Sequence, residues 1–117
     1  MTTATMTLAN TAMNPDSFDD VVNEAKGLER KGKWAAARAQ YESLLADPVL
    51  SAVARSSVLR WIGRTYTEEG DPDTAFSVLE RAVAAAEESG DVGVEAHALN
   101  GLAVIEQTLG NLDRSEE

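Results

Sequence analysis

A chain of 117 residues, 44% apolar but only 5% aromatic, has room for one domain with a modest core of Ala, Val and Leu, and none for repeat modules plus an enzyme. It has no cysteine, which excludes disulfides, thiolate metal sites and cysteine nucleophiles and suits a reducing compartment. A formal net charge of −10 opposes general binding to nucleic acid or to an anionic membrane, both of which require cationic surface. No apolar run approaches the ~20 residues of a membrane span. The first fifteen residues, MTTATMTLANTAMNP, carry no Lys or Arg and so lack the marks of a secretory or transit segment. They read as a disordered tail, 1–15, on a cytoplasmic protein whose domain occupies 16–117.

From Asp16 onward the pattern is helical. Ser17 with Asp20 resembles a capping box, and Phe18, Val21, Ala25 and Leu28 then fall at helical spacing until Gly32, giving a first helix over about 18–31. A second runs from Trp34 to Ala46 with Ala37, Tyr41, Leu44 and Leu45 on one face. Asp47-Pro48 either starts the next helix or ends the previous one. A third helix, about 50–69, carries Val58, Leu59, Ile62 and Tyr66 and stops at Gly70. Asp71-Pro72 starts a fourth, which reaches about Glu88 through Ala75, Leu79, Ala82, Val83 and Ala86 before Ser89-Gly90-Asp91 breaks the chain. A fifth, about 94–109, places Ala98, Leu99, Leu102 and Ile105 together, with Gly110 as its left-handed cap. No strand pattern competes, because sustained alternation is absent.

Gly32, Gly70 and Gly110 stand 38 and 40 residues apart, each ahead of a new helical pattern (GKWAAA, GDPDTA, GNLDRS). Such a period indicates stacked units. In the middle unit Leu59, Ile62-Gly63, Tyr66, Ala75 and Leu79 follow one another in an order that resembles the tetratricopeptide repeat family. The first unit matches more loosely, as Val21, Glu24-Ala25, Leu28, Ala37, Tyr41 and Pro48, and the third as Leu99, Leu102-Ala103, Glu106 and Ser115. The period exceeds the family's usual 34 residues, as in its longer-helix members. The resemblance implies an all-α, right-handed superhelical solenoid of antiparallel helix pairs. It would hold about two and a half units, approximately 18–51, 56–90 and 94–117, that is, five helices plus a stub. Ala25, Gly63 and Ala103, with Ala37, Ala75 and Ser115 on the partner helices, are expected where helices approach closely, and Tyr41, Tyr66 and Leu79 as the fillers between them.

In such arrays the first helix of each pair lines a concave groove. Carried over onto this chain, that face offers Val22, Asn23, Lys26 and Arg30, then Arg60, Trp61 and Arg64, then His97 and Asn100. Four cations gather there although the chain has 10 bases to 20 acids. A basic groove on an acidic exterior suits a partner peptide with acidic side chains or a free C-terminal carboxylate, held by charge-assisted hydrogen bonds. The competing reading is a solvated charged face, since Lys26 and Arg30 share their helix with Glu29. Trp61 is divided between groove anchor and core filler, and Trp34 reads as packing at a helix start. The two-carboxylate clamp by which some family members hold chaperone tails is not reproduced, because its places hold Val22, Lys26, Trp61, His97 and Gly101.

Nothing indicates catalysis, a metal or a cofactor: His97 is the only histidine, and Ser56-Ser57 has no base at recognisable spacing. The residues after Gly110 are too few to cover Ala98, Leu102 and Ile105, which leaves an apolar edge for self-association or for further chain. Two functions result. One is a non-enzymatic scaffold whose groove holds a peptide or partner segment; the other is the sensing or oligomerisation part of a larger regulator.

Overall fold

The computed structural model describes residues 15–116, with side-chain surroundings over 17–111. Five helices follow in order: α1 (Pro15–Arg30), α2 (Trp34–Leu45), α3 (Ala52–Glu68), α4 (Pro72–Ser89) and α5 (Val92–Glu116). There is no strand among the described residues. Each helix packs on the next, and α3 also meets α5 across α4. The expected tail, 1–15, lies outside the described residues except for Pro15, which opens α1. α1 thus starts upstream of the expected Ser17 cap. Proline suits a first turn, where its missing N–H leaves no bond unmade.

Turn chemistry explains why the helices separate where they do. After α1, Gly32 at φ +74° donates to the Glu29 carbonyl at 2.9 Å while Lys33 donates to that of Leu28 at 2.9 Å. This pair of bonds closes the helix in the left-handed turn that glycine adopts without strain. The same device recurs after α3, where Gly70 donates to Thr67 and Asp71 to Tyr66. Asp71 then accepts from the Thr74 N–H through its side chain, with Pro72 in the first turn, and α4 begins. Asp47 does not start a helix: its carboxylate accepts from Val49 within a turn, and Ser51 caps α3 by accepting from Ala54 at 3.1 Å.

Two expectations at the C-terminal end are corrected. Gly110 is no cap: α5 runs through it to Glu116, and among the described glycines only Gly32, Gly70 and Gly90 have positive φ. Hence no turn begins a sixth helix, and the stub is the continuation of α5; Ser115 lies on α5 itself, beyond the described side chains. The physical reason is that glycine alone only lowers helix propensity; the backward bonds that close the chain at Gly32 and Gly70 have no counterpart at Gly110. The small-residue position of the last unit is Ala98, fully buried, and not Ala103, which is exposed. Consequently Ala98 and Ile105 are already covered, by α4 and its neighbours, and the exposed apolar stripe of α5 is Val92, Ala96, Leu99 and Ala103.

Small residues set the helix spacing elsewhere as expected. Ala25, Ala37 and Ala75 are completely buried, and a Cβ added to Gly63 would stand 2.9 Å from Leu79 Cγ. Tyr41 fills the space between α1, α2 and α3 and has no exposed surface. Both buried hydroxyls on α3 are paired: Ser56 donates to the Ala82 carbonyl at 2.8 Å and Thr65 to that of Ile62 at 2.6 Å. Arg38 ties α2 to α3, its guanidinium 4.0 Å from the Tyr66 ring centre and 2.6 Å from Glu69 Oε1. No helix among the described residues is long and apolar enough to cross a membrane.

Candidate functional site

The surface shared by α1, α3 and α5 collects most of the cations singled out from sequence, and it divides into two halves. In the first, between α1 and α3, Glu29 from the last turn of α1 is buried at 9% exposure. Arg64 of α3 grips it with two bonds, Nε to Oε1 at 2.7 Å and Nη2 to Oε2 at 2.8 Å. The Tyr41 hydroxyl donates to the same carboxylate from below. Such a planar fork on a carboxylate is among the stronger polar contacts a protein makes. Beside it Lys26 Nζ lies 4.4 Å from the centre of the Trp61 ring, which in turn sits 5.5 Å from that of Tyr41. Trp61 is therefore both filler below and platform above.

Titration follows from this geometry. Burial pushes the Glu29 carboxyl up, but hydrogen bonds from Arg64 and Tyr41 and the charges of Arg64 and Lys26 outweigh it, so the group stays below its ordinary value. Tyr41 moves upward through burial and through its bond to Glu29. Lys26 is pulled down by burial and then by the nearby arginines, with Glu29 opposing. Arg60 is lowered by burial and by its neighbour Arg64. Arg64 and Lys26 thus share one carboxylate.

In the second half, between α3 and α5, a groove of about 290 Å³ opens above α4. Arg60 and Arg64 line it from α3, His97 and Asn100 from α5, and Leu79 and Ile105 lie in its apolar floor. Gly101 makes room: a Cβ there would already touch Leu79 Cδ2 at 3.5 Å. Arg60 differs from its neighbours. Arg38, Arg55 and Arg64 are each ion-paired with a glutamate, whereas the Arg60 Nε is enclosed and has no hydrogen-bond partner among the described residues.

Of the eight expected groove residues, Lys26, Trp61, Arg60 and Arg64 come together, and His97 and Asn100 face the two arginines across the second half. Asn23 and Arg30 are exposed on α1 and take no part in the cavity, and Val22, grouped with them from sequence, is buried. Glu29, read from sequence as a solvating neighbour, is instead the centre of the first half. Its partner Arg64 is 35 residues away, so no local spacing announces the pair; only the expected repeat phase offered a signal for it. The cationic groups of this surface are of the kind that can hold an anion by charge-assisted hydrogen bonds. No protein-family model, curated protein or solved structure matches the chain.

Proposed function

We propose that the chain is a non-enzymatic, cytoplasmic scaffold of tetratricopeptide type, a right-handed array of helix pairs whose α1–α3–α5 groove holds an extended segment of another protein. The observation that carries this reading is the placement of charge. Residues 56–117 contain 13 acids and 4 bases, yet two of those bases, Arg60 and Arg64, stand together in the groove with Lys26 alongside. A cationic strip favours an anionic partner segment, while the net charge of −10 makes two whole copies of the chain repel each other.

The geometry alters how this must be tested. Reversing both Arg60 and Arg64 would set a glutamate against buried Glu29 and disturb the fold, so the informative variants are Arg60→Glu and Lys26→Ala. Partner capture from the native cell extract should fall with Arg60→Glu while far-UV helicity stays at the parent level. Capture that is unchanged in both variants rejects the groove as the binding surface.

The second reading, an assembly or sensing part of a larger regulator, is favoured by one separate observation: Val92 is 81% and Leu99 49% exposed on the same side of α5. Light scattering after size exclusion distinguishes it, since association through α5 should be abolished by Leu99→Glu and left intact by Arg60→Glu.

A further inference from the structure

We infer that Lys26 is a modification site, acylated on its Nζ by an anionic acyl donor of the acyl phosphate class that the arginines around it collect. The site belongs to the α1–α3 half of the surface and does not require that the groove hold a partner.

Placement of the amine comes first. The chain has three lysines, and Lys31 and Lys33 stand exposed in the turn between α1 and α2. Lys26 alone is half-buried, with Nζ 4.4 Å from the centre of the Trp61 ring and no carboxylate paired with it among the described residues. The ring fixes where the nitrogen stands, so less side-chain freedom remains to be lost when a reagent arrives. Glu29 attracts it from nearby, but the hydrogen bonds of that carboxylate go to Arg64 and Tyr41. Burial, then Arg64, with Arg60 and Arg30 adding to them, outweighs the pull of Glu29, so the ammonium gives up its proton more readily than an ordinary lysine. A desolvated amine beside other cations is a common form of nucleophilic lysine.

The surroundings select the donor. Arg64 and Arg60 of α3 and Arg30 of α1 all lie near enough for their charges to act on Lys26. Arg64 is engaged with Glu29, and the other two are open to an anion. Only the Nε of Arg60 is enclosed; its two terminal nitrogens have no hydrogen bond among the described residues. Arg30 is exposed and folds back along α1, its Nη2 3.7 Å from where a Cβ on Gly27 would stand. On a chain of net charge −10 this is a local positive field, which raises the concentration of small anions beside the amine. Acyl phosphates suit it, because one end is a phosphate for the guanidinium groups and the other an electrophilic carbonyl. Neutral esters bring the carbonyl without the charge.

The step balances without a further reactant. Lys26 first releases its ammonium proton to water. The Nζ lone pair then adds to the acyl carbon, the C–O bond to phosphate breaks, and its electron pair leaves with the phosphate, which takes up the proton that Nζ sheds. Arginine hydrogen bonds to the departing phosphate oxygens favour the break. The product is a neutral amide, so one cation is lost from the surface over Trp61.

The test is timed exposure of the full chain to acetyl phosphate near neutral pH at constant ionic strength. Each lysine is followed by mass spectrometry after cleavage with a glutamate-specific protease, which separates Lys26 from Lys31 and Lys33. Lys26 should be acetylated at least about 10-fold faster than either, the lower end of what a focused field supplies. With p-nitrophenyl acetate, which is uncharged, that preference should fall to less than about a third, because only the reactivity of the amine itself remains. Inorganic phosphate at about 50 mM should slow the reaction of acetyl phosphate at Lys26 and leave Lys31 and Lys33 unchanged. In Arg60→Met the Lys26 rate should drop about 3-fold to 10-fold while the turn lysines keep theirs. Equal rates at the three lysines, the same preference with the neutral ester, or indifference to phosphate overturns the inference in the parent chain, with no variant needed. An unchanged Lys26 rate in folded Arg60→Met overturns it as well.

Discussion

The two halves of the groove use the same residue type in opposite ways. Between α1 and α3, Arg64 is saturated: Glu29 takes its fork, Tyr41 supports Glu29, and Lys26 rests on Trp61. Between α3 and α5, one turn earlier on the same helix, Arg60 faces a cavity with no carboxylate of its own. An arginine paired within the fold ties helices together; one that lines a cavity unpaired can be offered to a ligand. Residue type therefore says little about role until the opposing helix is known.

The largest effect should come from Tyr41→Ala, which empties a fully buried aromatic site and strips Glu29 of a donor. Chemical denaturation should show a loss of about 3–5 kcal/mol, the usual range for deleting a buried ring. A loss below about 1 kcal/mol would mean that the α1–α3 half is not the tightly packed region described here.

Glu29→Gln should cost about 2 kcal/mol, less than the breaking of a fully buried pair because Arg64 is 45% exposed. Its pH dependence gives a sharper reading. The folded Glu29 carboxyl lies below its unfolded value, so its contribution is complete above about pH 4.3 and fades as pH falls through the folded value. Parent and Glu29→Gln stabilities should therefore converge in acid and separate towards neutrality. A constant difference across pH would contradict the pairing.

The smallest effect tests the end of α5. A Cβ at Gly110 would meet nothing within 4 Å, and the residue lies within a helix, so Gly110→Ala should stabilise by about 0.5 kcal/mol. Were Gly110 a left-handed cap, alanine would be strained there and the melting temperature would fall instead.

The contrast between the halves also marks what the sequence could show. Local chemistry was enough for α1 to α4, because Gly32, Gly70 and Asp71-Pro72 act on neighbours within a few residues. Close-packing positions such as Ala25, Ala37, Gly63 and Ala75 were legible through their period. At Gly110 the same cue failed: a glycine beside a polar residue looks alike in a helix and at its end, and the difference lies in its φ and in the backward bonds that accompany Gly32 and Gly70. That error also shifted the last unit, which is why Ala103 was expected where Ala98 packs. In the groove, the face of α3 bearing Arg60 and Arg64 was legible as cationic, but the division of labour between them was not. It depends on Glu29 from α1 and on Gly101 from α5, contacts across 35 and about 40 residues of chain that no helical spacing encodes.

The contrast between these two arginines is tested most directly by making Arg60→Met and Arg64→Met in parallel and measuring each for thermal stability and for partner capture from the native cell extract. The account predicts a crossover. Arg60→Met keeps the parent melting temperature within about 2 °C and loses capture, while Arg64→Met, which leaves Glu29 buried without its fork, melts about 8 °C lower or more, as expected for a loss of at least about 2 kcal/mol, and retains capture where it is folded. Two variants that lose stability and binding in the same proportion, or the reverse assignment, would contradict it.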